Sequence, residues 1–258
     1  MKRLLLGMAA VILLGLGAGR SAFADPSLEL VAGTGANMDI IYWDGVGAVA
    51  CSHGGVAVSC ATFGTVGTLG SAASGSETLA VTAFHGWKIT QTSGGSNSPN
   101  CVGFNGPDCI NEDNINANTT GGTTDDLQAY FGASGFGTQA ALKVTESGSA
   151  AIGTATAKGF AYTGALGFSA LAAPTVSGQI GATLSVSNCA PCMAGPTGGA
   201  SPTGPFNLAI VDIFSGAAGN TFNVDTTIAA VPEPASMVLF GSLLLAVTAI
   251  AKKKLRRS

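Results

Sequence analysis

The residues with the most evident chemistry are two cysteines, Cys189 and Cys192, in C-x-x-C spacing. Such a pair exchanges disulfides when it begins a helix, because the positive helix end lowers the pKa of the thiol. Residues 193–199 are rich in Gly and Pro and cannot form that helix. We therefore expect a structural disulfide. A zinc site would need two more ligands, and nothing in the sequence links His53 or His85 to this stretch.

The chain has six cysteines, an even number, for which fifteen pairings are possible. Their separations divide them into three close pairs, each closing a short loop. In the chain-entropy model each such loop adds at most ~3 kcal/mol to the stability. The favoured disulfides are Cys51–Cys60, Cys101–Cys109 and Cys189–Cys192.

Oxygen ligands for Ca²⁺ could come from the polar stretch 111–118, with Asp125 and Asp126 further along. The stretch does not fit the EF-hand loop, because Ile115 occupies a ligand position and no glycine follows it. A solvated loop is the simpler interpretation. We expect no metal and no cofactor, and Asp113, Asp125 and Asp126 remain weak calcium candidates.

Two tryptophans, Trp43 and Trp87, could stack on sugar rings, but both flank apolar runs and are expected to pack in or beside the core. Catalytic signatures such as Gly-x-Ser-x-Gly, His-Glu-x-x-His and the phosphate loop are absent from the sequence. Scattered acids neither establish nor exclude a carboxylate pair for hydrolysis. We expect a protein that is not an enzyme.

The charge of residues 25–231, called the body below, limits its partners. This segment has three lysines, Lys88, Lys143 and Lys158, no arginine and thirteen acids, a formal charge near −10. Nucleic acids and anionic lipids are poor partners for such a surface, because phosphate binding depends on Lys and Arg. Divalent cations and neutral polymers remain possible.

Short apolar or alternating runs separated by Gly, Ser, Asn and Pro predict an all-β body, an antiparallel β-sandwich, with 207 residues to fill its core. Only residues 123–131 could begin with one helical turn, capped by Thr124 or Asp125. Two polar stretches, 93–118 and 188–205, are expected to be long loops pinned by their cysteines. The predicted strands are 28–32, 38–43, 56–63, 78–84, 87–92, 127–131, 140–146, 152–162, 179–186, 206–214 and 221–228.

The N-terminal segment has the three parts of a secretory signal peptide. Lys2 and Arg3 precede an apolar run, residues 4–18, and Ala22-Phe23-Ala24 is a small-x-small cleavage site. The mature chain is then expected to begin at Asp25.

The C-terminal segment also has three parts. Pro232, Glu233 and Pro234 precede an apolar run, residues 237–251, and a basic cluster follows. Fifteen residues span about 22 Å as a helix, so flanking residues must help it to cross a bilayer. The cluster should stay cytoplasmic and stop transfer. Its cations are Lys252, Lys253, Lys254, Arg256 and Arg257.

This tail resembles the PEP-CTERM sorting signal of Gram-negative bacteria, which is a substrate of the membrane-embedded enzyme exosortase. Residues 86–99, 125–132 and the run before Pro232 are similar to a β-rich domain that recurs in PEP-CTERM proteins. The resemblance implies no enzymatic activity. It implies a signal peptide (1–24), a β-rich exported domain (25–231) and a sorting segment (232–258) with one transmembrane helix.

Three functional hypotheses follow. The first is an exported, non-catalytic surface or extracellular-matrix protein, sorted by exosortase and associated with extracellular polysaccharide. The second is a carbohydrate- or calcium-binding module at the cell surface. The third and weakest is a secreted hydrolase. In each the precursor is held in the inner membrane by its tail, and nucleic acid is not a partner.

Overall fold

The computed structural model describes residues 26–71, 76–96, 109–119, 125–136, 141–165, 167–200, 202–203, 205–215 and 219–231. These residues form thirteen strands and two short 3-10 turns, with no α-helix. The strands are β1 (Pro26–Ala32), β2 (Asp39–Trp43), β3 (Ala50–His53), β4 (Val56–Val58), β5 (Val66–Ser71), β6 (Ser76–Phe84), β7 (Trp87–Ser96), β8 (Cys109–Thr119), β9 (Leu127–Phe136), β10 (Leu142–Tyr162), β11 (Leu184–Gly199), β12 (Phe206–Ser215) and β13 (Thr221–Ala230).

The predicted signal peptide and the predicted sorting segment, residues 1–24 and 232–258, lie outside the described residues. Within the described part, no helix is long and apolar enough to cross a membrane. The all-β prediction agrees with the structure there, since every strand pair is antiparallel.

The strands form a continuous ladder that folds into two sheets. The first sheet has the order β4-β3-β2-β1-β9-β12-β10, and the second has the order β10-β13-β8-β7-β6-β5. β10 belongs to both, because residues 142–150 pair with β13 and residues 154–162 pair with β12. β11 pairs with β10 along both halves.

The crossing of β10 between the sheets depends on glycine. Gly153 has φ +107°, and a Cβ there would lie 2.7 Å from the carbonyl oxygen of Ser215. Gly148 has φ +142°, and its Cβ would lie 2.1 Å from the carbonyl oxygen of Asn223. Both positions require a backbone conformation and a closeness of approach that only glycine accepts. The strand therefore bends here and lays the first sheet over the second.

The inward faces of the two sheets share one hydrophobic core. It contains Leu28 and Leu30 of β1, Phe131 of β9, and Trp87 of β7, all at most 1% exposed. Along each strand these residues alternate with outward-facing ones, as the period of two requires. The register places the β6–β7 turn, the end of β1 and the start of β13 at one end of the sandwich. We call this the turn end, and the opposite end, with Pro26 and Ala230, the terminal end.

A second apolar cluster covers the outer face of the first sheet, where residues 167–183 lie across the strands as a strap. Val31, Tyr130 and Phe160 of the sheet belong to this cluster, and Phe168 and Val176 of the strap pack against it. The backbone N–H of residue 180 donates to the carbonyl oxygen of residue 159 at 2.8 Å. The strap thus forms a partial third layer.

Several sequence-based predictions of local structure are wrong. Of the stretch 93–118, residues 93–96 complete β7 and residues 109–118 form most of β8, while residues 188–199 belong to β11. The reason is tertiary: β8 lies between β13 and β7, so both backbone edges are paired despite its polar composition. The strands 140–146 and 152–162 are one strand. Of residues 56–63 only Val56–Val58 form a strand, and β3 and β5 were not predicted.

Gly159 gives a test of the packing between the sheets. A Cβ there would lie 2.5 Å from Val144 Cγ2 and 2.9 Å from Ile228 Cδ1. We expect Gly159→Ala to destabilise the body by about 1–3 kcal/mol, because the facing sheet must move. The control is Gly67→Ala in β5, where nothing lies within 4 Å. Urea unfolding measures both variants, and equal midpoints would contradict this packing.

Candidate functional site: a histidine–aspartate cluster

Both histidines of the chain meet at the turn end of the sandwich, with two aspartates between and beside them. His53 Nδ1 donates to Asp39 Oδ1 at 2.7 Å. His85 Nε2 lies 4.0 Å from Asp39 Oδ2, and His85 Nδ1 lies 3.0 Å from Asp125 Oδ2. We call His53, Asp39, His85 and Asp125 the histidine–aspartate cluster.

Different elements bring the four side chains together. Asp39 begins β2, and it pairs directly with His53 at the end of β3. His85 comes from the β6–β7 turn of the second sheet, with φ +52°. Asp125 precedes β9, and its carbonyl oxygen accepts a hydrogen bond from Trp87 Nε1 at 3.0 Å. The cluster therefore connects the first sheet to the second.

The space around His85 depends on Gly33. A Cβ at Gly33 would lie 3.0 Å from His85 Nε2 and 2.3 Å from the carbonyl oxygen of Asn37, and φ there is +78°. Any other residue would displace the imidazole or the turn that follows β1. The residues at the end of β1 thus help to define the cluster.

The cluster is graded in exposure. The side chain of Asp39 is 10% exposed and that of His85 is 18%, whereas His53 is 55% and Asp125 is 48% exposed. The inner carboxylate thus lies between two imidazoles and accepts a hydrogen bond from His53, and the outer members face solvent. No group of three or more His, Cys, Asp or Glu among the described residues could hold a metal ion.

The calcium candidates do not converge in the described part of the chain. Asp125 contacts His85, and Asp126 is exposed beside it. Asp113 lies in β8, paired with Ser93 of β7 rather than in a loop. The interpretation of residues 111–118 as a solvated loop is therefore wrong.

The described cysteines are all in disulfides. Cys51 pairs with Cys60 and Cys189 with Cys192, and Cys109 is also disulfide-bonded. Cys101, its predicted partner, lies outside the described residues. Cys189 and Cys192 lie in β11 rather than at the start of a helix, which agrees with a structural disulfide.

Neither tryptophan presents an exposed ring face for a sugar. Trp87 is 1% exposed and packs against Phe222 with ring centroids 5.9 Å apart. Trp43 is 5% exposed, and its Nε1 donates to the carbonyl oxygen of Gly47 at 3.2 Å. The expectation of core or rim packing agrees with both positions.

Two fully buried glutamates were not singled out from the sequence. Glu29 lies under the strap, where its Oε2 accepts from the Ser169 N–H at 3.0 Å while its Oε1 has no partner among the described residues. Burial raises its pKa to about 9, against a small opposing effect of that hydrogen bond. Burial, followed by the nearby Glu29, also raises the pKa of Tyr130 to about 12.

The second glutamate, Glu146, lies between the sheets. It pairs across the strand with Thr226, whose Oγ1 donates to Asp212 Oδ1 at 2.9 Å. Neither oxygen of Glu146 has a hydrogen-bond partner among the described residues, and burial raises its pKa to about 7. One sign of Glu146 is visible in the sequence: it alternates in phase with the core residues Leu142 and Val144 of its strand. Glu29 shares its phase with Ser27 and Val31, which is a weaker sign.

Comparisons with known proteins give no family. No family model matches the chain, and no curated protein sequence matches it. Similar solved structures include the adhesin domain of Epf from Streptococcus pyogenes, with 10% identity, a TM-score of 0.38 and coverage of 80% of this chain and 60% of that one. The chain thus spans about three fifths of that domain.

Two further structures are similar over part of the chain. The K1 cleaved adhesin domain of Lys-gingipain from Porphyromonas gingivalis has 15% identity and a TM-score of 0.31, covering 66% of this chain and all of that one. The CBM35 domain from Paenibacillus barcinonensis has 13% identity and a TM-score of 0.23, covering 57% and 94%. These are β-rich adhesin and carbohydrate-binding domains, and values this low transfer no ligand or partner to this chain.

The two glutamates predict how stability depends on pH. Both pKa values are raised above the unfolded value near 4.5, so the native state retains protons that the unfolded state loses. The free energy of unfolding should therefore fall as pH rises. Between about pH 4.5 and 7 both glutamates contribute to the fall, and between pH 7 and 9 only Glu29 does. Each proton contributes up to ~1.4 kcal/mol per pH unit.

Melting temperatures between pH 4 and 10 test these windows. Glu29→Gln should remove most of the slope above pH 7, whereas Glu146→Gln should reduce only the slope below it. Glutamine preserves the shape and removes the titration. A wild-type protein whose stability rises from pH 5 to pH 9 would show that these carboxyls are not buried as described.

The cluster predicts a rank order of stability losses. Asp39→Ala should cost about 1–3 kcal/mol, because it removes the hydrogen-bond acceptor of His53 and the carboxylate that lies 4.0 Å from His85 Nε2. His53→Ala should cost less than about 1 kcal/mol, since the ring is half exposed. Asp126→Ala is the matched control and should be near neutral. Denaturant midpoints at pH 6 measure all three, and a loss at Asp126 as large as at Asp39 would refute the assignment.

Proposed function

We propose that the protein is an exported, non-catalytic surface or extracellular-matrix protein that exosortase sorts through the C-terminal tail and that associates with extracellular polysaccharide. The observation that best supports this is where the folded body begins and ends. β1 starts at Pro26, directly after the proposed cleavage site at Ala24, and β13 ends at Ala230, just before Pro232. The described core strands thus lie between the two proposed targeting segments.

The disulfides support an extracellular location. Bonds such as Cys51–Cys60 persist in oxidising compartments and are rare in the cytosol. Here they join neighbouring parts of a body that already has a continuous core, so they reinforce local turns rather than replace the core. Such disulfides are expected in a chain that folds outside the inner membrane.

The composition supports a binding or structural role rather than catalysis. The body has no arginine and only two histidines. A neutral polysaccharide suits a surface with few cations. Because Trp43 and Trp87 pack inside, contact with sugars would rest on the hydroxyl and amide side chains of the outer strands.

The tail provides the direct test. Intact-mass measurement of protein extracted from the cell surface should find a C-terminus near residues 231–234, with or without an attached group. Replacing Pro232, Glu233 and Pro234 together by alanine should leave full-length protein in the inner membrane. Val231→Ala is the matched control and should be processed normally. Surface protein that still carries Lys252 and the residues after it would show that the tail is a simple anchor.

A further inference from the structure

The last strand of the body is fixed in the sandwich almost to the first proline of the tail. Ala230 pairs with Leu142, and the N–H of Val231 donates to the carbonyl oxygen of Ala141 at 2.9 Å. Only residues 232–236 separate this point from the apolar run that begins at Met237. Five residues reach at most about 17 Å, even when fully extended. A membrane that holds the run must therefore lie close beneath the terminal end.

The part of the terminal end that surrounds Val231 carries little charge. Residues 141–144, 197–200 and 228–231 form the part of this end that surrounds Val231, and we call them the end patch. Lys143 is its only charged residue, and all others are small or apolar except Thr197. Five acids lie near this end in the sequence: Asp44 follows β2, Glu77 is near the start of β6, Asp25 precedes Pro26, Asp108 precedes Cys109, and Glu233 is in the tail.

The exposed Asp125 of the histidine–aspartate cluster and its neighbour Asp126 lie at the other end. β13 has ten residues, so about 30 Å separates its ends. That distance is several times the Debye length of about 8 Å at physiological salt. The negative charge of Asp125 and Asp126 is therefore screened from an anionic membrane beneath the end patch.

We propose that the end patch rests on the phospholipid headgroups of the membrane that holds the tail, with the histidine–aspartate cluster presented at the far end. This inference rests on the proposed function, because it requires an anchored precursor. The contact is made by the small and apolar residues of the end patch, and the short connection to the tail holds them there. The cluster is the part of the body that meets whatever lies outside the membrane.

The experiment uses the protein with its tail intact in liposomes that contain headgroup-nitroxide lipid. One variant carries a fluorophore on a cysteine replacing Ala200 in the end patch, and a matched variant carries it in place of Val56, near His53. Both positions are exposed. We expect quenching at position 200 to be at least threefold stronger than at position 56. Equal quenching, or stronger quenching at position 56, would overturn the orientation.

Two controls separate this inference from the proposed function. Flotation with the liposomes measures anchoring, and protein that fails to float would overturn both the anchored precursor and the orientation. Twenty Gly/Ser residues inserted between Val231 and Pro232 form a flexible linker with an r.m.s. end-to-end distance of about 25 Å. This spacer should preserve flotation and reduce quenching at position 200 at least twofold. Unchanged quenching at position 200 would show that the short connection, residues 232–236, is not what holds the end patch at the membrane.

Discussion

The bend of β10 is the constraint on which the rest of the structure depends. One strand joins both sheets, and its two halves are paired with β13 and β12 along the same edge. Without the bend the ladder would be one open sheet with an apolar face in water. Gly148 and Gly153 allow the chain to turn, and Gly159 allows the facing sheets to approach. The core and the cluster at the turn end both follow from that closure.

Closure also decides where charge can lie. The lysines of the body, Lys88, Lys143 and Lys158, each alternate with core residues and therefore face outward. No lysine can reach Glu146 between the sheets, so the buried carboxylate becomes neutral by binding a proton. The interior thus favours mildly acidic conditions, in which its carboxyls remain uncharged. This cost in stability at higher pH follows from the buried Glu29 of β1 and Glu146 of β10 rather than from any exposed group.

The sequence predicts the architecture better than the site. Alternation identifies β1, β6, β12 and β13 with errors of only a few residues, because apolar side chains at every second position have no other good arrangement. It misses β8, whose polar residues are held by strands on both sides. The cluster is harder still, since Asp39 and His53 are fourteen residues apart and His85 comes from the other sheet. A weak sign exists: His53 and His85 each precede a glycine turn at a strand end.

The position of β13 determines how the body would respond to a pull on its tail. Force applied at Ala230 acts along the strand, which is paired with β10 on one side and β8 on the other. A pull along the strand acts on all hydrogen bonds of the two ladders at once. A pull perpendicular to an edge strand would instead break its hydrogen bonds one at a time. Ile228 also packs against the region of Gly159 in the facing sheet. A central strand is therefore a suitable attachment point for a protein held by its C-terminus.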